Sequence, residues 1–179
     1  MKNKEQYFEE VYQKLADKVF RFVLLRVSGR EEAIDIAEEV FYKFWQTVSA
    51  GEGVANPQAF LFTIARHKVI DWYRKKKPES LDQMIESAEE NERPSLQIAD
   101  EKGYEKMALS SEAVWVVKVL RKLAPQYQEV MSMRFVDDLP LREIADVLGI
   151  TENAVSLRLH HGLQKLREDL GINIKEDGK

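Results

Sequence analysis

Over residues 60–77 cations interleave with aromatic rings, a combination that suits unpaired nucleic acid. Phe60, His67 and Arg74 fall on the polar side of a helical repeat, with Lys68 and Lys75 flanking and Lys76 and Lys77 extending the basic run. Phosphates need the charge, and an unstacked base needs a flat ring or a snug pocket. Stacking one base on a side chain is worth about 1–3 kcal/mol. Phe60, close to the Ala50-Gly51-Glu52-Gly53 loop, is the stacking candidate. Phe62 and Trp72 fall with Leu61, Ala65, Val69 and Tyr73 on the apolar side and read as core.

The stretch Pro140-Leu141-Arg142-Glu143-Ile144-Ala145-Asp146-Val147-Leu148-Gly149-Ile150-Thr151 has the pattern of a helix-turn-helix. Gly149 suits the left-handed turn, Ala145 permits a close helix crossing, and Thr151 caps the next helix. In that helix Val155, Leu159, Leu163, Leu166 and Leu170 form the expected inner stripe. Asn153, Leu157, His160, His161 and Gln164 face outward, with Arg158 and Lys165 flanking, and Ser156 joins them as a candidate. Such outward side chains reach base edges in the major groove, where a leucine suits a thymine methyl. His160 and His161 are adjacent, so they diverge by about 100° and make a poor metal pair. No Gly-rich phosphate loop, nucleophile elbow or metalloprotease motif is present, and the chain reads as no enzyme, with no cofactor or metal.

A third face is acidic. Across residues 31–48, Ala33, Ala37, Val40, Phe41, Phe44 and Val48 share one side. Asp35, Glu39, Tyr42 and Gln46 share the other, with Glu38 and Trp45 at its edge. A solvated face would look similar, but the aromatics also suit a protein partner.

These faces require helices to carry them, and apolar spacing is helical throughout, with no alternating strand pattern. The expected helices cover 5–27, 31–48, 57–77, 112–123, 125–136, 141–148 and 152–169. The first should turn Phe8, Tyr12, Leu15, Val19, Phe22 and Val23 toward a core, and Ser111 should cap the fourth. The reading is all-α, with two small helical domains at 1–77 and 109–170 and a polar tail at 171–179. Between them lies an acidic, flexible, mostly extended linker at 78–108, in which Ser80 and Gln83 could cap one short turn.

Charge follows the same division. The 179 residues carry a net −4, yet residues 1–77 hold 14 basic and 11 acidic side chains, a net +3. Residues 78–107 hold 3 basic and 9 acidic ones, a net −6. Neither end is strongly basic, so binding to duplex DNA without a partner should be weak. The absence of cysteine removes disulfide scaffolds and thiolate chemistry and fits a cytoplasmic setting. No apolar run approaches the roughly 20 residues of a membrane span, so no membrane insertion is expected.

The order of these parts resembles a known family. Glu32 to Phe41, then Phe60-Leu61-Phe62-Thr63-Ile64-Ala65-Arg66 with Asp71-Trp72-Tyr73-Arg74, resemble conserved region 2 of bacterial sigma factors. Leu123-Ala124-Pro125, Arg134-Phe135, the helix-turn-helix and Leu166-Arg167-Glu168 resemble region 4. Two such regions without a third domain are similar to the extracytoplasmic-function (ECF) group of the sigma-70 family. The resemblance implies a factor that gives core RNA polymerase its promoter choice and helps melt the duplex. It implies that Asp35, Glu38 and Glu39, on the face with Tyr42 and Gln46, dock on the beta-prime clamp helices, and that region 4 meets the beta flap. It further implies that Phe60, His67 and Lys68 help capture a base of the minus-ten element, while Arg74 to Lys77 meet phosphates. Arg134 and the outer side of the last helix would read the minus-thirty-five element, and an anti-sigma factor is a possible further partner. Glu38 departs from a common family choice on the docking face; His67 departs at the minus-ten residues, and Ser156, Leu157 and His161 depart in the last helix, which implies weaker backbone attraction and an unusual minus-thirty-five sequence. An autonomous helix-turn-helix regulator, with residues 1–77 as a sensor or dimerisation domain, is the alternative; a helical protein-binding adaptor is a third reading.

Overall fold

The computed structural model describes residues 3–27, 29–86, 94–99 and 110–172, and every regular element among them is a helix. Helix α1 spans Lys4–Leu24, α2 Arg30–Ser49, α3 Pro57–Lys76 and α4 Pro78–Glu86. Then come α5 Ser111–Leu120, α6 Pro125–Phe135, α7 Leu141–Leu148 and α8 Glu152–Asp169. Local chemistry sets the boundaries. The Asn56 side chain accepts a hydrogen bond from the Ala59 amide at 3.0 Å, and Pro57 follows where no amide donor is needed. Ser110, one residue earlier than expected, caps α5 by accepting from the Ala113 amide at 3.2 Å.

α1, α2 and α3 pack against one another around an aromatic core. Phe22 and Phe62 meet edge to face at 5.1 Å, and Phe8 lies 5.9 Å from Phe44. Phe22, Phe44 and Phe62 are fully buried. Tyr12, expected inside, is 48% exposed, because α2 covers only part of that side of α1 and leaves Tyr12 at its rim, 4.8 Å from Phe41.

α6, α7 and α8 form a second unit around Val130, Met133, Leu139, Ile144 and Val155, all of them fully buried. Gly149 takes φ 69° and ψ 34° in the turn between α7 and α8, and Thr151 accepts from the Ala154 amide at 3.1 Å. Leu163 and Leu170, placed on the inner stripe by spacing alone, are the more exposed edge of α8. Gly162 is buried instead, where α8 crosses α6. A Cβ at 162 would lie 3.1 Å from Met131 Cγ, so a side chain there would require the Met131 side chain to give way by a few tenths of an ångström.

Residues 78–108 depart from the expectation of a flexible, extended linker in two described pieces. Residues 78–86 make a full helix that buries Leu81 and Met84 beside α3. Residues 94–99 form no regular element but are sealed in, with Ser95, Leu96, Ile98 and Ala99 all buried. Apolar burial on the neighbouring helices outweighs the polar composition of the surrounding chain. The remainder of the expected linker lies outside the described residues.

Candidate nucleic-acid interface

α2 presents Asp35, Glu38, Glu39, Tyr42 and Gln46 to solvent, while Trp45 is half-buried. Tyr42 is 63% exposed. Glu38, Phe41, Tyr42 and Trp45 line, with Glu5, Phe8 and Tyr12 of α1, an open apolar depression of about 470 Å³. The acidic face thus has an aromatic border, a surface suited to a basic and partly apolar protein partner.

α3 divides the expected strand-binding residues. His67, Arg74, Lys75 and Lys76 are exposed. Lys77 lies over the Trp72 ring at 5.8 Å, and Arg74 pairs with Asp71 at 2.7 Å. Lys68 forms an ion pair with Glu39, joining a residue expected at DNA to one expected at polymerase. Phe60 does not stand free; it is half-buried, with its ring 6.1 Å from that of Phe44. It therefore borders the entrance of α3 as a fixed wall.

α8 turns Asn153, Ser156, Leu157, His160, His161 and Gln164 outward, all exposed, with Arg158 half-buried. Leu157 is 53% exposed. The His161 ring stands edge-on to Tyr127 at 6.3 Å, which fixes its side of the helix. Arg134 is half-buried at the end of α6, where it donates to the Leu139 carbonyl at 3.2 Å.

Sequence spacing missed a group of polar residues where the two units meet. Asn56 and Gln58, at the start of α3, both donate to the Glu143 carboxylate on α7, at 2.9 and 2.7 Å. Arg66 on α3 pairs with Glu129 on α6 at 2.8 Å, with both side chains almost completely buried. Arg26 donates to Ser132 Oγ at 2.6 Å and lies 3.9 Å from Asp137. Burial pushes the Asp137 carboxyl up to about 6, although Arg26, Arg21 and Lys18 pull the other way. Burial also lowers Arg26, against the opposing pull of Asp137 and Glu129. The signal for Arg66 was present, since a charged side chain beside Phe62, Ala65 and Val69 on an apolar stripe must find a partner.

Comparison with known proteins gives these surfaces their family. Residues 11–79 match the model described as Sigma-70 region 2, and residues 113–166 match Sigma-70, region 4. A relative in Streptomyces griseus, the ECF RNA polymerase sigma factor ShbA, is 31% identical over 156 residues, covering 86% of this chain and 80% of its own. The chain belongs to the sigma-70 family, in its ECF group. The ECF RNA polymerase sigma factor SigW of Bacillus subtilis is 28% identical over 171 residues, 94% of this chain and 91% of that one. The fold agrees. The sigma factor RpoE of Bartonella quintana, solved with the anti-sigma factor NepR, superposes with a TM-score of 0.65 at 18% identity, over 94% of this chain and 99% of that chain. CnrH, solved with the cytosolic domain of CnrY, gives 0.61 at 18% identity, over 94% and 90%. As an ECF sigma factor the chain binds core RNA polymerase and directs it to promoters to initiate transcription. Among the described residues no helix is long and apolar enough to cross a membrane.

Proposed function

We propose that residues 1–77 grip polymerase and hold the melted minus-ten strand, while residues 109–170 read the minus-thirty-five duplex across the linker at 78–108. The observation that carries this division is the pair of exposed helical faces, acidic and aromatic on α2, nearly free of carboxylates on α8. An acidic face repels phosphate and attracts basic protein; a face of amide, hydroxyl, imidazole and leucine offers donors and a methyl-binding surface without repelling phosphate.

Asp35, Glu38, Glu39, Tyr42 and Gln46 dock on the beta-prime clamp helices, and the second unit meets the beta flap. The wall formed by Phe60 with the exposed His67 flanks a displaced base, while Arg74 to Lys77 hold its phosphates. Lys68 passes from Glu39 to phosphate when polymerase engages the carboxylate. Asn153, Ser156, Leu157, His160, His161 and Gln164 read bases, and Arg134 and Arg158 steady the backbone. Two weak DNA contacts held at fixed spacing on one enzyme act by effective concentration. No step is catalysed by the chain itself; polymerase supplies the chemistry, in the cytoplasm where it works. A partner that covers α2, as an anti-sigma factor would, switches the factor off.

Core enzyme with and without the chain, followed by sequencing of the transcript starts, tests the reading. Promoter-specific starts are expected only with the chain present, and duplex binding without polymerase should be weak. Tight duplex binding by the chain alone, without any effect on start sites, would favour an autonomous regulator.

A further inference from the structure

The residues between α4 and α5 are more than a tether. The segment 94–99 bonds to both units at once. Ala99 donates its amide to the Leu25 carbonyl at the end of α1, at 2.7 Å. The Pro94 carbonyl accepts from Arg66 of α3 at 2.7 Å. The Ile98 amide donates to the Gln128 side chain of α6 at 3.0 Å, and Gln128 in turn donates to the Leu123 carbonyl at 2.8 Å. Leu96 and Ile98 are 1% and 5% exposed, so this is a seated segment.

The state it closes cannot read a promoter. Elements centred about 25 base pairs apart lie roughly 85 Å apart at about 3.4 Å per base pair. A compact chain of this length has a radius of gyration near 16 Å and is about 40 Å across. Here the start of α3 and the first helix of the helix-turn-helix are in hydrogen-bond contact through Asn56, Gln58 and Glu143. Residues 87–109, fully extended, would reach up to about 80 Å. Release of 94–99 is therefore what lets the two units span the elements.

The seam is also built to open. An apolar seam of the same size would lose its whole transfer free energy on parting. This one buries Arg26, Arg66, Glu129 and Asp137, and buried ion pairs contribute little net stability against desolvation. Arg26 Nε, Arg66 Nη1 and Asp137 Oδ2 have no hydrogen-bond partner among the described residues. Water satisfies each of them once the seam parts.

We propose that residues 94–99 form an intramolecular clasp that keeps the free factor closed, and that capture by core polymerase must displace it. The clasp rests on the sigma-factor reading above and assigns the linker a regulatory role beyond it. The closed state then reduces apparent affinity for polymerase by the fraction of chains that are open. Loosening the clasp should increase binding, whereas simple structural damage would decrease it.

The test uses the full chain with Gln13→Cys and Asp146→Cys, two exposed positions that take dyes selectively because the sequence has no cysteine. Leu96→Ala with Ile98→Ala removes the seated side chains. Ala99→Pro, a separate variant, removes the amide that bonds Leu25 and keeps the seated side chains of Leu96 and Ile98. Both should lower energy transfer between the dyes, keep helical circular dichroism, and tighten binding to purified core enzyme by about tenfold. Unchanged energy transfer in both variants would overturn the clasp. Lowered transfer with no gain in core affinity would overturn its gating role. Failure of the wild-type chain to be captured by core enzyme would instead overturn the parent reading, and the dye measurement separates the two because it needs no polymerase.

Discussion

The outer faces of α2 and α8 are both exposed stripes backed by buried aliphatic or aromatic side chains, yet they differ in chemistry. α2 concentrates Asp35, Glu38 and Glu39 beside Tyr42, whereas the outward positions of α8 from 153 to 164 hold no carboxylate. On the proposed division the same scaffold would serve two kinds of macromolecule, with sign of charge doing the sorting. Because charge falls off with screening and surface pairs contribute little to folding, either face can change without disturbing what lies beneath it.

The most severe way to break the comparison is to destroy one scaffold. Val155→Asp puts an unpaired carboxylate at a fully buried position of α8 and should cost about 3–5 kcal/mol. Chemical denaturation should show the second unit lost; a native-like transition would contradict its core role. Reversing the acidic face comes next. Asp35→Lys with Glu39→Lys should weaken core binding about a hundredfold while thermal unfolding barely moves. Wild-type affinity in a pull-down titration would remove α2 from the polymerase interface.

The seam between the two units should respond to protons through Asp137. Asp137 has an ordinary value of 3.8 and a folded value of about 6. The closed form therefore binds more protons than the open form between those values, so closure strengthens as pH falls through 6 and weakens as it rises. Arg26, Arg21 and Lys18 are the charges that act on it, each pulling against the effect of burial. The closed-to-open ratio should rise about tenfold from pH 7 to pH 5 by dye energy transfer. Asp137→Asn should flatten that profile; an unchanged slope would assign the titration elsewhere.

The smallest effect tests the second face. Leu157→Ala should shift minus-thirty-five preference at one base pair by about 1 kcal/mol and leave core affinity alone. Selection from a randomised promoter library reads this, and identical preferences would exclude Leu157 from the reading set.

The two faces were legible from sequence because each repeats every three to four residues within one helix. The helix-turn-helix was legible for a similar reason, with Gly149 and Thr151 marking a turn by backbone needs alone. The seam was not. Arg26 finds Ser132 across 106 positions of chain, and no local period records that distance. Arg66 gave half a signal, a charge on a greasy stripe, without naming Glu129 as its counter-ion. Leu81, Met84 and Ile85 mark one short turn in the sequence, but nothing local tells that the side of α3 receives Leu81 and Met84 and draws the turn out to a helix over Pro78–Glu86. Tyr12 shows the opposite error: its period was right, but only the width of α2 decides that it sits on a rim.

Gly162 sets something finer than stability. Beside the buried Val155 and Leu159, α8 approaches Met131 at Gly162 with no side chain between them, so the height and tilt of its outward residues depend in part on that bare backbone contact. A methyl group there would make the thioether yield or lift the helix, and a lifted helix would move all its fingertips together. The whole outward row of α8 would then shift as one body, through an atom that belongs to none of those side chains.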